Sequence, residues 1–275
     1  MNSRRESRTR GVVTMFVTNV IVTIGLVMIA PLLPVFAQRA GASGAWMGAL
    51  FAADMVARTV AMPLCGRASD RFGRRPFLIL GLILFAAASF SFTQTSGKAT
   101  LLAVRTLQGV GAGMVIPVIM AYFGEFASTH RVALTMGTLN ISFFGGLAVG
   151  PFLGGFLESR FSLEAPFYFL AAAALLNAGF IFWLLPESAS RGRTDGGRKG
   201  GTADSVAPWR AVLSDATLRR LCTHRFLVSF GVSTAWAFVP LYAVKVLGLS
   251  TYDAGIAVGA ITLLTAVLIS PGGWV

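Results

Sequence analysis

Charge is scarce in this chain. Asp, Glu, Lys and Arg make up 12% of its 275 residues, against roughly a quarter in a soluble domain, so a water-facing surface over the whole chain is excluded. Acids are scarcer still, 11 against 23 Lys and Arg. Histidine occurs only at His130 and His224, far apart and without metal-ligand spacing; solvated or capping roles fit both, and no metal is implied. No Gly-x-x-x-x-Gly-Lys-Ser/Thr loop is present, which argues against a nucleotide-driven pump and against ATP as a partner. A Ser/His pair, an HExxH helix and carboxylates clustered near one face are missing too, so a polytopic membrane enzyme is disfavoured and no cofactor is called for.

Apolar surface, by contrast, is abundant: 55% hydrophobic residues, in runs of about 20, long enough to cross a bilayer core as helix. The chain reads as an all-α polytopic membrane protein with spans at 12–37, 45–65, 76–95, 100–123, 133–157, 165–185, 220–243 and 252–271. The net charge of +12 invites a nucleic-acid partner, but its placement argues against one. About 17 of the 23 Lys and Arg fall in alternate loops that share one side; Arg39, Lys98, Arg160 and Lys245 fall on the other, and Arg58 and Arg105 lie inside spans. This positive-inside pattern puts the N-terminus and the basic loops in the cytoplasm, in a multi-pass protein of the plasma (inner) membrane. Cys65 and Cys222 then lie near cytoplasmic helix ends, in a reducing compartment, and are expected as free thiols. The run from Val12 to Phe36 is too long for a signal-peptide core and reads as the first transmembrane helix behind its basic tail.

The chain divides into three segments: a six-helix bundle over 1–187, a flexible basic cytoplasmic linker over 188–217, and the first two helices of an incomplete second bundle over 218–275. The stretch "SASRGRTDGGRKGGTADSVAP" at 188–208 has almost nothing to bury. A weak internal repeat supports the tandem: "GASGAWMG", with Gly41, Ser43 and Gly48, and "GLSTYDAG", with Gly248, Ser250 and Gly255, each follow a Pro-containing helix end and open a Gly/Ala-rich span. Pro63 and Pro271 lie near the ends of those spans, yet Pro271 precedes only "GGWV". Two expectations remain open: a longer transporter, with an aspartate a few residues beyond Val275 and about four more spans, or a truncated gene whose product transports nothing.

Between spans 2 and 3 lies "GRASDRFGRRPFLI", a basic knot with one acid and glycines at fixed steps. It is either a topogenic charge cluster or something more specific. The pattern Gly66-x-x-x-Asp70-Arg71-x-Gly73-Arg74-Arg75 resembles the signature loop of the major facilitator superfamily. "RTLQGVGAG" in span 4, with Arg105, Gln108, Gly109 and Gly111, is similar to a second signature of that family. "GLAVGPFLGG" in span 5, with Gly146, Gly150, Pro151, Gly154 and Gly155, is similar to its antiporter motif, associated with drug:proton exporters, and "PES" at 186–188 is a further frequent feature. The resemblance implies a major-facilitator-type six-helix N-terminal bundle plus the first two helices of a second one.

Each motif has its physical reading. Gly66 would let span 2 approach a neighbour closely. Asp70 can face a helix N-terminus or be held by the surrounding arginines; the resemblance makes Gly66 to Arg75 a conformational gate bracing the two bundles. The span-5 glycines form a smooth stripe around a bend at Pro151, which the resemblance packs against span 8 and its Gly255 and Gly259; ordinary glycine-rich packing is the plainer alternative. Arg105 must face a partner or a water-filled cavity, since a cation inside a span costs a few kcal/mol; the resemblance gives it a part in proton coupling. Asp54 and Arg58 are four apart on one face of span 2. They form either a self-neutralising pair or a protonatable carboxylate, Asp54, tuned by burial and by Arg58. Asn19, Gln108, Tyr122 and Trp236 are candidates for a substrate cavity, with Asn140 and Asn177 as weaker ones. Span 1 carries Asn19 and threonines where some drug exporters have an acid, which weakens the case for cationic substrates. The expected function is proton-coupled efflux of small amphipathic compounds by alternating access, with protons, a small-molecule substrate and the lipid bilayer as partners. Uptake of a sugar or organic acid by proton symport on the same scaffold is the alternative.

Overall fold

The computed structural model describes residues 2–41, 43–95, 97–126, 132–185, 214–224, 226–228, 230–231 and 246–248. Span 8, Trp236, the "PES" stretch and the linker at 188–208 lie outside them. Among the described residues, six α-helices, each with a window long and apolar enough to cross a membrane, lie in the first unit: α1 (Asn2–Arg39), α2 (Gly44–Phe72), α3 (Arg74–Phe92), α4 (Lys98–Phe126), α5 (Val132–Arg160) and α6 (Ala165–Leu184). Helix is what such runs must form, because lipid offers no partner for a backbone N–H or C=O. Pro63, Pro117 and Pro151 sit inside α2, α4 and α5 without ending them, as neighbouring helices permit in membranes.

Two boundaries depart from expectation. α1 starts at Asn2, so the basic tail is a helical extension of span 1. The arginine knot is not a loop either. Residues 66–72 are the last two turns of α2, and Arg74 already opens α3. Nothing between Gly66 and Phe72 breaks a helix, and Ser69 Oγ donates back to the Gly66 carbonyl at 2.7 Å. The reversal is made at Gly73 alone, whose φ of 98° and ψ of 149° lie in a region essentially restricted to glycine.

Contacts at the helix ends fix the topology. Arg39 at the end of α1 meets Glu164, just before α6, at 3.5 Å, and Lys98 Nζ lies 5.4 Å from the Trp46 ring centroid, joining the starts of α4 and α2. At the opposite, basic end Arg75 of α3 donates to the Phe182 carbonyl in the last turn of α6 and lies over the Phe182 ring. Alternate connections therefore share an end, as a bundle of successive antiparallel spans requires.

Within the bundle α4 packs between α2 and α3, α1 between α5 and α6, and α3 against α6. Small residues set the closest approaches. A methyl added at Gly111 would stand 2.8 Å from the Gly81 carbonyl oxygen, and one at Gly81 would stand 2.9 Å from that of Gly111, so α3 and α4 touch backbone to backbone. Gly109 lies on the Asp54 carbonyl, and a methyl at Gly113 would meet Ala61 Cβ at 2.7 Å. The close approach expected at Gly66 is found at these positions instead, since a methyl on Gly66 would make ordinary contact with Pro117 at 3.6 Å. Lipid tails are as apolar as leucine, so such backbone contacts supply dispersion that the hydrophobic effect does not. Toward the end opposite the arginines, buried Phe36, Phe92 and Phe167 tie α1, α3 and α6 together, with centroids 4.9 Å apart for Phe36–Phe167 and 4.8 Å for Phe92–Phe167.

Residues 214–231 belong to a second unit and are described by themselves. Helix begins after Asp215, whose Oδ1 accepts from the Thr217 and Leu218 N–H groups at 2.7 and 3.1 Å, a side-chain N-cap for the start of span 7. Gly41 and Gly248, the matching first glycines of the internal repeat, share a left-handed backbone, φ 69° and 67°.

Candidate functional site

The bundle interior holds few charges, and α2 and α4 supply the innermost. Asp54 is 2% exposed, Arg105 3% and Gln108 not at all. Gly109 is what brings them together: with no side chain, α4 settles directly on the Asp54 carbonyl, placing the helix face that carries Arg105 and Gln108 beside Asp54 and Arg58. One turn apart on α2, Arg58 Nη2 donates to Asp54 Oδ2. Three residues apart on α4, Arg105 Nη1 donates to Gln108 Oε1 at 2.7 Å. Asp54 and Arg58 both lie within electrostatic reach of Arg105. Asp54, Arg58, Arg105 and Gln108 thus form one cluster. Gln108 enters it as a partner of Arg105.

The charge count is uneven: two guanidinium cations face one carboxylate. An arginine at a helix centre costs about 2.5–3.5 kcal/mol on insertion scales, and Asp54 offsets that for one cation only. Hydrogen bonding is incomplete as well. Asp54 Oδ1, Arg58 Nε, Arg105 Nε and Gln108 Nε2 are buried with no partner among the described residues. The Gln108 amide is oriented by Arg105, which can only donate, so Oε1 faces the guanidinium and Nε2 is left as a donor.

The knot at the basic end forms a separate group. Arg74 is 6% exposed, reaches Asp70 Oδ1 at 3.4 Å and lies over the Tyr122 ring at 5.5 Å. Asp70, Arg67 and Arg71 are exposed at the helix end. Tyr122 thus forms a floor for Arg74. Asn19 is engaged between helices. Its amide donates to Ser142 Oγ at 2.6 Å and to the Leu139 carbonyl at 3.5 Å, so it holds α1 to α5.

The span-5 stripe is divided. Methyls at Gly146, Gly150 and Gly154 would meet Thr23 Cβ at 2.8 Å, the Ile24 carbonyl at 3.0 Å and Met28 Cγ at 2.6 Å, all on α1. The expected partner, span 8, lies outside the described residues, but these three glycines are already occupied by α1. Of the motif's glycines only Gly155 faces open space. Sequence reading also passes over Thr18, whose hydroxyl donates to the Thr14 carbonyl at 2.8 Å and meets Asn177 Oδ1 at 3.3 Å, linking α1 to α6. The spacing of Thr14 and Thr18, one turn apart in an apolar run, is the signal that could have found it.

Comparison with known proteins gives a consistent result. The family model described as "Major Facilitator Superfamily" matches residues 15–275. Multidrug resistance protein 2 of Bacillus subtilis is 32% identical over 167 residues, covering 61% of this chain and 42% of that protein. Quinolone resistance protein NorA of Staphylococcus aureus is 26% identical over 239 residues, covering 86% and 60%. The chain thus spans about half the length of these curated relatives. The crystal structure of the human organic anion transporter MFSD10 superposes with a TM-score of 0.75 at 23% identity, over 94% of this chain and 70% of that one, a likeness of fold.

Proposed function

The chain belongs to the major facilitator superfamily, whose members are carriers rather than enzymes, and from that premise we propose that it serves proton-coupled efflux of small amphipathic compounds by alternating access. The observation that carries this reading is buried Asp54, paired with half-buried Arg58 and set against buried Arg105. An ionisable group inside a span is costly, and such groups mark ion and proton pathways. Asp54 is placed for the work: Arg58 on its own helix is bonded to it, and Arg105 of α4 lies within electrostatic reach. Protonating it frees Arg58 and changes the charge at the α2–α4 contact. The names of the two relatives, multidrug and quinolone resistance, support export of drug-like amphipaths.

In this reading the arginine-rich end faces the cytoplasm of the plasma (inner) membrane. The segment from Gly66 to Arg75 acts as the conformational gate, with Gly73 as its joint and Arg74 and Arg75 anchoring it to α4 and α6. The antiporter-motif glycines Gly146, Gly150 and Gly154 hold α5 to α1, while Gly155 faces open space.

Norfloxacin, fluorescent and zwitterionic, is a suitable probe. Its efflux from vesicles under an imposed proton gradient should be abolished by an uncoupler and by Asp54→Asn. Undiminished coupling in that variant would remove Asp54 from the mechanism. The surplus cation favours a second reading, symport: protonating Asp54 raises the positive charge of the cluster and so tightens an anion beside it, and an organic acid would then enter together with its proton.

A further inference from the structure

The cluster on α2 and α4 is short of one anion. Asp54 and Arg58 both act on Arg105, and Arg58 is bonded to Asp54, so in this cluster two cations share one carboxylate. The unpartnered polar atoms say the same in hydrogen bonds: three are donors (Arg58 Nε, Arg105 Nε and Gln108 Nε2) and one is an acceptor (Asp54 Oδ1). Water could satisfy the donors but not the charge. A monoanion with more than one oxygen supplies both.

Resting on the reading of this cluster as part of the transport site, we propose that Arg105 and Gln108, with Arg58 at the rim, form a seat for the carboxylate of an amphipathic solute. Arg105 and Gln108 are buried, while the Arg58 side chain is 17% exposed and marks the way in. Met55, exposed on the same helix, has its sulfur 3.6 Å from Arg58 Nη2, so the apolar body of a bound solute lies against Met55 while its carboxylate reaches inward. Asp54 keeps its hydrogen bond to Arg58 and stays available to the proton. Chloride offers the charge without the paired oxygens or the apolar body.

The test is equilibrium binding to the purified protein in detergent, with 2-naphthoate, its methyl ester and chloride as probes. Naphthoate should bind at least tenfold more tightly than the uncharged ester, and Gln108→Leu should weaken naphthoate at least tenfold without affecting the ester. Gln108→Glu offers a second test, because it places a carboxylate in the seat: it should raise the melting temperature and abolish naphthoate binding. Equal binding of ester and naphthoate, or a lowered melting temperature in Gln108→Glu, overturns the proposal. Chloride binding as tightly as naphthoate overturns the assignment to a solute carboxylate. Proton coupling is read separately. If naphthoate binds as described while efflux ignores the proton gradient, the seat stands and the coupling reading fails; if the ester binds equally and efflux still follows the gradient, the reverse holds.

Discussion

Neutralising Asp54 and neutralising Arg58 should not be equivalent, although the two side chains form one pair. Asp54→Asn leaves two guanidinium groups, half-buried Arg58 and buried Arg105, with no carboxylate beside them. Breaking a buried pair from that side costs about 3–5 kcal/mol. Arg58→Gln removes a charge-assisted hydrogen bond, about 1.5–3 kcal/mol, but leaves Asp54 opposite Arg105 with charges balanced. The two variants should therefore differ by about 2 kcal/mol, or about 4–8 °C in melting temperature for a chain of this size. Thermal unfolding of the purified protein in detergent, read by intrinsic fluorescence, gives the comparison directly. The double variant Asp54→Asn/Arg58→Gln should fall between them, because one unpaired cation remains. If Arg58→Gln is as damaging as Asp54→Asn, Arg105 does not share Asp54, and the two-to-one count does not govern the cluster.

The helix packing sets further outcomes. Gly111→Ala puts a methyl 2.8 Å from the Gly81 carbonyl oxygen, a backbone atom that cannot swing away; overpacking of about 1–3 kcal/mol outweighs the gain of up to about 1 kcal/mol in helix propensity. Gly155→Ala, in open space, keeps only the gain and should melt no lower than the parent. Gly73→Ala places a side chain at φ 98°, ψ 149°, which costs about 1–3 kcal/mol and should appear as a lowered melting temperature and faster proteolysis between α2 and α3. Asn19→Ala and Ser142→Ala, combined in a double-mutant cycle, should give a coupling of about 0.6–1.7 kcal/mol, the range for interhelical hydrogen bonds in membranes; additivity would show that the 2.6 Å contact contributes nothing.

Much of this architecture is legible in the sequence because lipid simplifies the problem. A run such as Ala165–Leu184 can only be a helix in that medium, and the clumping of arginines orders the spans end to end. Asp54, Arg58 and Arg105 stand out because a charge inside a span needs a reason. Facing is not legible. Inside a span both sides of the helix are apolar, so periodicity does not say whether Asn19 turns toward a cavity or toward Ser142, or whether Gly146, Gly150 and Gly154 meet span 8 or α1. Helix ends escape for a related reason. Polar residues read as loop, yet residues 66–72 are good enough helix formers to extend α2 past the apolar run until Gly73 reverses the chain. Residue type alone points Gln108 toward a substrate cavity; its partnership with Arg105 depends on a three-residue spacing that becomes meaningful only once Gly109 is seen to bring α4 onto Asp54.

The most direct test of proton coupling at Asp54 is proton exchange on binding. Norfloxacin is added to the purified protein in weakly buffered detergent solution, and the protons released or taken up are measured against Asp54→Asn and Asp54→Glu. The parent should exchange protons as norfloxacin binds, by release for antiport and by uptake for symport; Asp54→Glu should retain the exchange, and Asp54→Asn should bind norfloxacin with no proton change. Equal proton exchange in the parent and in Asp54→Asn would contradict the central claim that this buried carboxylate carries the proton.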